Sequence, residues 1–520
     1  MSAAVTPSPH RTRRTASLGL LIFAIIVMVA AFAQVGLARD GKLPSGVFTY
    51  GLAIAALSAG AFYVMQRFTP YADPVLLPLG VFLNGIGLAM IYRIDQSKQQ
   101  SVIDAIERAK LRGEKFVPFG SGADVTGQLV WTILSIGLFI AAIILLKDVK
   151  ILQRYHYTLG AVGMLLLVMP MLPVVGQNIN GSRIWINLAG FSLQPAEFCK
   201  FAFIAFFAGY LVKKRAALSL VSRKVLFLEL PRSRDLFPIL TFWFICLVVM
   251  AVENDFGTAL LFFGLFVAML YIATGKATWV AIGLLLFIGG ALLLFVGAQI
   301  IGGPLEHVSQ RVEIWLNPEP YFGGGCKLPD GSIIQTIKSA TGADVAISQS
   351  ACVGMDGNYS TSDQLMKGLF AMGQGGVLGT GLGQGQPFLN DLSFSDEIFT
   401  SLGEEIGLTG LMALLVVYAL LIERGMKVAV QTRDEFAKLF AGGISFVFAL
   451  QIFAIVGGVT KLIPFTGLTT PFLTQGGSSL LANWILIAIL CRLSDQARRP
   501  APVAIQDEGM TQIVNLGDAR

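Results

Sequence analysis

The sequence predicts an all-α polytopic membrane protein, and three observations carry that prediction. Hydrophobic residues make up 54% of the 520 and charged residues only 13%, with a mean hydropathy of +0.70, well above what soluble globular chains show. About twelve apolar runs are long enough to cross a bilayer as helices. Basic residues gather at the ends of those runs.

The runs lie at 17–36, 46–65, 74–92, 126–146, 156–175, 195–212, 237–252, 257–273, 277–298, 397–421, 437–459 and 475–493. An even number places both termini on one side. Arg11, Arg13 and Arg14 precede the first run, Lys213, Lys214, Arg215, Arg223, Lys224, Arg232 and Arg234 fill a middle loop, and Arg492, Arg498 and Arg499 follow the last. The positive-inside rule makes these segments, and so both termini, cytoplasmic. One loop pulls the other way: residues 93–124 carry Arg93, Lys98, Arg108, Lys110, Arg112 and Lys115 yet fall outside, and their acids count for little in this rule. The first run lacks a small-residue cleavage site and reads as an uncleaved helix.

These runs organise the chain into a cytoplasmic tail at 1–16, a helix pair at 17–72, a main body at 73–494 and a polar cytoplasmic tail at 495–520. One large extracellular loop, near 299–396, is rich in glycine and long enough to expect a function. Of the five cysteines, Cys199, Cys246 and Cys491 lie in apolar runs and read as core, whereas Cys326 and Cys352 share the large loop, where a disulfide is expected.

Several function classes drop out. The net charge of +6 follows from the membrane flanks and does not form a nucleic-acid surface. There is no P-loop, so no nucleotide is expected. The three histidines, His10, His156 and His307, are scattered, and no Cys/His spacing suits zinc. Chemistry is left to carboxylates, basic residues and a weakly held divalent cation, magnesium or manganese.

The stretch Val249-Met-Ala-Val-Glu-Asn-Asp-Phe-Gly-Thr-Ala-Leu-Leu261 sets Glu253 and Asp255 between two apolar runs. They read either as loop-edge acids favoured by a helix dipole or as a half-buried general base whose proton affinity is raised by reduced solvation. Asn180-Gly-Ser-Arg-Ile-Trp-Ile-Asn187 carries Arg183, an interfacial anchor or a fork for a lipid phosphate. Gln194-Pro-Ala-Glu-Phe-Cys-Lys200 puts Glu197 and Lys200 three residues apart on one helix face, either a packing pair or part of a site. Gln310-Arg-Val-Glu-Ile-Trp-Leu-Asn-Pro318 contributes Gln310 and Arg311. The glycines of 371–385 permit close backbone approach, as in a phosphate nest. Ser395-Asp-Glu-Ile-Phe399 and Gly403-Glu-Glu-Ile-Gly407 read as helix-start acids, and Gly476-Gly-Ser-Ser-Leu480 carries Ser478 and Ser479.

Taken in order, NGSRIWI, QPAEFCK, ENDFGTALL, QRVEIWLNP, GQGGVLGTGLGQG, DEIF, GEEIGLTG, PFTGLTTPF and GGSSLL resemble the SEDS family of polytopic membrane proteins, which includes RodA, FtsW and SpoVE, over about residues 75–494. The pattern is most like the RodA branch, used in elongation and shape. The resemblance implies a bundle of about ten helices, here with an added N-terminal pair, in the cytoplasmic membrane of a bacterium. It implies a peptidoglycan glycosyltransferase that polymerises lipid II on the outer face, adding to a growing glycan on a lipid diphosphate beside a class B penicillin-binding protein. Asp255 is then the candidate base. Arg183, Arg311, Glu197, Lys200, Gln310, Ser478 and Ser479 are the candidate substrate-binding set, with a divalent cation assisting the diphosphate. The sequence departs from the family pattern where Gln-Pro-Asp reads Glu253-Asn254-Asp255 and where Lys461 replaces a common glycine. A flippase for a lipid-linked precursor, the division paralogue, or a non-catalytic scaffold would also suit a many-span chain with intramembrane charge.

Overall fold

The computed structural model describes residues 14–500 apart from 45, 113–122, 174, 180–181, 189–190, 220–222, 226–227, 231–232, 254, 302–305, 328–332, 339–343, 347–351, 353–357 and 391. Most of both tails, and Asn254, thus lie outside the described residues. Every apolar run forms a helix. Among the described residues nine helices are long and apolar enough to cross a membrane: α1 (Arg14–Asp40), α2 (Gly46–Phe68), α3 (Leu76–Arg112), α4 (Val125–Leu145), α7 (Pro195–Ser219), α9 (Phe256–Thr274), α13 (Ile398–Gln431), α14 (Glu435–Val459) and α15 (Gly477–Arg498). The other three runs supply shorter apolar stretches: within α6 (His156–Val168), which follows the short α5 (Lys150–Arg154), in α8 (Ser233–Glu253) and in α10 (Thr278–Ile301). Pro170, which cannot donate to a helical ladder, accounts for the early end of α6 in a 3-10 turn.

Burial separates the bundle's centre from its rim. The apolar windows of α3, α7 and α15 are more than four-fifths enclosed by protein, whereas α1, α2 and α4 leave most of theirs uncovered, as lipid-facing helices do. The N-terminal pair packs on α3 and α4. Its connection to the body is pinned to the last helix: the Tyr71 N–H donates to Asp495 Oδ1 (2.9 Å), the Asp73 N–H donates to Ser494 Oγ (2.8 Å), and Arg498 pairs with Asp73.

The charged stretch expected as a loop at 93–124 is different. Helix α3 continues to Arg112, and Arg93 is buried within it, its Nε 2.8 Å from Glu405 Oε1 on α13. A buried, paired arginine is no longer a loop charge, which removes one member from the cluster that opposed the topology.

The long connection before α13 contains α11 (Glu306–Leu316), α12 (Asp363–Gly375) and short strands. Strand β6 (Gly325–Lys327) lies between β10 (Asn358–Ser360) and β7 (Ile333–Ile334). Cys326 is joined to Cys352 by a disulfide with Cα atoms 5.6 Å apart. Ahead of α7, β1 (Gly176–Ile179), β2 (Ser182–Leu188) and β3 (Phe191–Leu193) form an antiparallel meander. Cys199, Cys246 and Cys491 are buried and unpaired as thiols.

Candidate functional site

Asp255 is the N-cap of α9. Its backbone leaves the helical region (φ −101°, ψ 75°) and Oδ1 accepts the Thr258 N–H at 3.0 Å, satisfying one of the free donors at a helix start. The bland reading of this acid therefore holds in part. What distinguishes it is the surroundings. Gly257 lies so close to the loop after α14 that a Cβ would sit 2.3 Å from Thr466 O, so only glycine lets that loop cross the first turn of α9.

The same loop reaches the buried ion pair on α7. Lys200 Nζ lies 2.6 Å from Glu197 Oε2 and donates to Gln451 Oε1 (3.1 Å), and Gln451 Nε2 donates to Thr469 O (2.7 Å). Thr469 Oγ1 lies 3.3 Å from Glu197 Oε1 and 3.1 Å from Ser479 Oγ. Ser479 Oγ also accepts from Asn483 Nδ2 (3.2 Å), while Ser478 Oγ accepts the Gln194 N–H (2.8 Å). Four elements are locked together, and Glu197, Lys200, Ser478 and Ser479 are all buried. Buried charges held this way are paired and hydrogen-bonded, as desolvation demands.

Arg311 enters from α11, with its guanidinium 6.0 Å from the centre of the Phe256 ring. Helix α11 is moored by Trp315 Nε1 donating to Lys461 O (3.1 Å) and by Tyr321 Oη donating to Glu313 Oε2 (2.9 Å). Lys461 adopts φ +61°, the left-handed region that favours glycine. Arg311 acts electrostatically on two carboxylates, Asp255 and Asp396. Asp396 stands just before α13, and a Cβ on Gly467 would come within 3.7 Å of its Oδ2. Burial pushes Asp255 upward, opposed by the Thr258 bonds and Arg311. It pushes Asp396 up to about 6, again against Arg311, and lowers Arg311, which both acids counter. All three side chains keep part of their surface accessible. An arginine and two carboxylates close enough to act on one another electrostatically, lodged in protein yet reachable, suit proton transfer beside an anionic leaving group.

Of the residues singled out from sequence, Asp255 and Arg311 come together here, and Glu197, Lys200, Ser478 and Ser479 form the buried frame beside them. Gln310 precedes Arg311 on α11 and is partly accessible. Arg183 is exposed on β2 and is not among the charges acting on Asp255. The glycine-rich stretch is no phosphate nest: the Gly383 N–H donates to Glu405 Oε2 (2.9 Å), the Gln386 N–H donates to Glu404 Oε1, and the N–H groups of Thr380 and Gly381 go to the carbonyls of Glu404 and Glu405. Its donors are consumed within the protein.

Sequence reasoning left Asp396 as a helix-start acid. The residue at the N-cap of α13 is instead Glu397, whose side chain makes no cap bond and accepts from Thr400 Oγ1 (2.9 Å). Gln451, a polar residue inside an apolar run, was a legible signal for the frame. Among the described residues no group of three or more His, Cys, Asp or Glu side chains could hold a metal.

Together these features define a class: a polytopic helical membrane protein with a partly accessible cluster of charged side chains at the mouths of its helices. The chain matches the family model FTSW_RODA_SPOVE, described as cell cycle protein, over residues 112–335 and 355–499, and it belongs to that family. It is 41% identical to peptidoglycan glycosyltransferase RodA of Mycobacterium tuberculosis, over 96% of this chain and 93% of that one. It is 28% identical to FtsW of the same species, over 85% and 71%. A structure of a peptidoglycan synthase complex that coordinates polymerization and crosslinking aligns with a TM-score of 0.48 at 19% identity, covering 86% of this chain and 98% of that one. The family match begins at residue 112, after α1 and α2, but the RodA similarity covers 96% of the chain and so takes in most of the N-terminal pair.

Proposed function

We propose that this chain is a peptidoglycan glycosyltransferase of the RodA type, polymerising lipid II at the outer face of the bacterial cytoplasmic membrane, with both termini cytoplasmic. The observation that carries this reading is the Asp255–Arg311–Asp396 arrangement on the frame built around Glu197 and Lys200. Its greater similarity to RodA than to FtsW supports the elongation branch.

In this mechanism Asp255 accepts the proton of the incoming sugar's 4-hydroxyl as that oxygen attacks the anomeric carbon of the growing chain. The bond from that carbon to the diphosphate breaks, and an α-linked donor becomes a β-1,4 link in one inverting step. Arg311 stabilises charge on the departing lipid diphosphate, and Asp396 favours its charged form electrostatically. Arg183, exposed on β2, is available to lipid headgroups. A magnesium or manganese ion would need ligands from the diphosphate itself beside Asp255 or Asp396, in keeping with how such ions are held in phosphate chemistry. The crosslinking partner is a class B penicillin-binding protein.

The test is polymerisation of lipid II by the purified chain, with and without chelator and with and without the transpeptidase partner. Glycan chains of increasing length are expected. Movement of lipid II across vesicles without polymerisation would favour a flippase and reject this reading.

A further inference from the structure

Gln451 sits within the apolar run of α14 and is fully buried. An amide in that place is costly unless both of its ends are bonded. Both are: Oε1 accepts from Lys200 Nζ (3.1 Å) and Nε2 donates to Thr469 O (2.7 Å). An ammonium can only donate and a carbonyl can only accept, so these two partners fix which way the amide points. Gln451 therefore bridges the ion pair on α7 and the loop that follows α14.

That loop is held in a conformation that its residues disfavour. Among the described residues two non-glycine positions have positive φ, Lys461 (+61°) and Phe472 (+67°), and both lie in it. A residue with a Cβ stays in the left-handed region only under restraint from its surroundings. At the far end of the loop the Phe472 ring packs 5.7 Å from that of Trp484 on α15 and 6.3 Å from that of Phe448 on α14. Tyr418 Oη on α13 donates to Pro471 O (2.5 Å), and the Gln475 N–H donates to Phe394 O (2.9 Å). Trp315 holds the near end through Lys461 O. Between these anchors Thr466 crosses the turn that Asp255 caps, and Gly467 passes beside Asp396. Thr469 follows directly, and Gln451 ties its carbonyl to the span.

We propose that Gln451 is a positioning residue for the reaction: by fixing Thr469 it sets the segment 465–470 against α9 and Asp396, and so holds Asp255 and Asp396 in their working places. The inference rests on the proposed glycosyltransferase reading. Gln451 acts through the loop and not on the substrate, so its loss lowers kcat and leaves substrate binding alone. A misplacement of about 1 Å at a reacting group can cost about 10²-fold in rate.

Gln451→Met keeps the length of the side chain and removes the amide. Gly425→Ala is the control for general destabilisation: its Cβ would lie 2.2 Å from Ser445 Oγ, at the end of α13 remote from Asp396. The experiment takes the full-length parent, Q451M and G425A through three measurements: melting temperature, kcat and KM for lipid II polymerisation per folded molecule, and amide hydrogen exchange over 465–475. In the parent the N–H groups of Leu473 and Thr474 are bonded to Thr470 O, and exchange there reports how firmly the loop is held. The expected result is that Q451M loses about 10- to 100-fold in kcat with KM within about twofold of the parent and exchanges faster in the loop. G425A melts lower but keeps both its kcat and its loop protection. Parental kcat in Q451M, unchanged loop exchange in Q451M, or an equal loss of kcat in G425A overturns the proposal. If Q451M yields no folded protein, Gln451→Asn is read by the same criteria, since it stays polar but is one methylene too short to reach both Lys200 and Thr469. If the parent itself polymerises no lipid II, the function reading fails, while the exchange comparison still decides whether Gln451 holds the loop.

Discussion

Two regions of the molecule use the same ingredients, one arginine and two acids, to different ends. Around Arg93, Glu404 and Glu405 the guanidinium donates to Gly385 O (2.7 Å) and pairs with Glu405, while backbone N–H groups of the glycine-rich strap occupy both acids. All three side chains are buried. Around Arg311, Asp255 and Asp396, among the described residues, the one hydrogen bond to either aspartate comes from Thr258, and the side chains remain partly accessible. Ion-paired and sealed, the first triad fastens the strap to α13. Under-satisfied and reachable, the second has bonding capacity left for a substrate.

This contrast breaks if substitutions in the two triads behave alike. The largest expected effect is Arg93→Met, which strands the Glu405 carboxylate in the interior and should cost about 3–5 kcal/mol, read as a large fall in melting temperature and in the yield of folded protein. Arg311→Gln should do the reverse, lowering polymerisation by about 10²–10³-fold, the scale on which single charge-stabilising donors act, with little change in melting. Equal destabilisation by the two changes would erase the distinction. Ser478→Ala sharpens it from the side of the frame. Loss of one buried acceptor should cost about 1 kcal/mol in thermal unfolding and leave the KM for lipid II near the parent's. A large rise in KM would move Ser478 from frame to substrate.

Much of this fold was legible because lipid imposes a simple code: each long apolar run had to become a helix, and all twelve did. Asp255 was legible for the same reason, as a charge at a boundary where charge is otherwise sparse. What failed was anything decided by partners distant in sequence. Arg93 looked like a loop cation because its counter-charge, Glu405, lies on a helix hundreds of residues later. The glycines of 371–385 looked like ligand donors because sequence does not reveal that Glu404 and Glu405 already take those bonds. Asp396 hid behind Glu397, since two adjacent acids before an apolar run both suit a helix start, and only the approach of α11 sets one of them against Arg311. The meander carrying Arg183 left no strand signal strong enough to place that side chain.

The central claim is that Asp255 takes the proton of the attacking hydroxyl. Its most direct test is Asp255→Asn, which keeps the size of the side chain and an oxygen able to cap Thr258, assayed for glycan polymerisation from lipid II alongside its melting temperature. The account predicts a folded protein with near-parental melting and no detectable polymer. Polymerisation at the parental rate would contradict it.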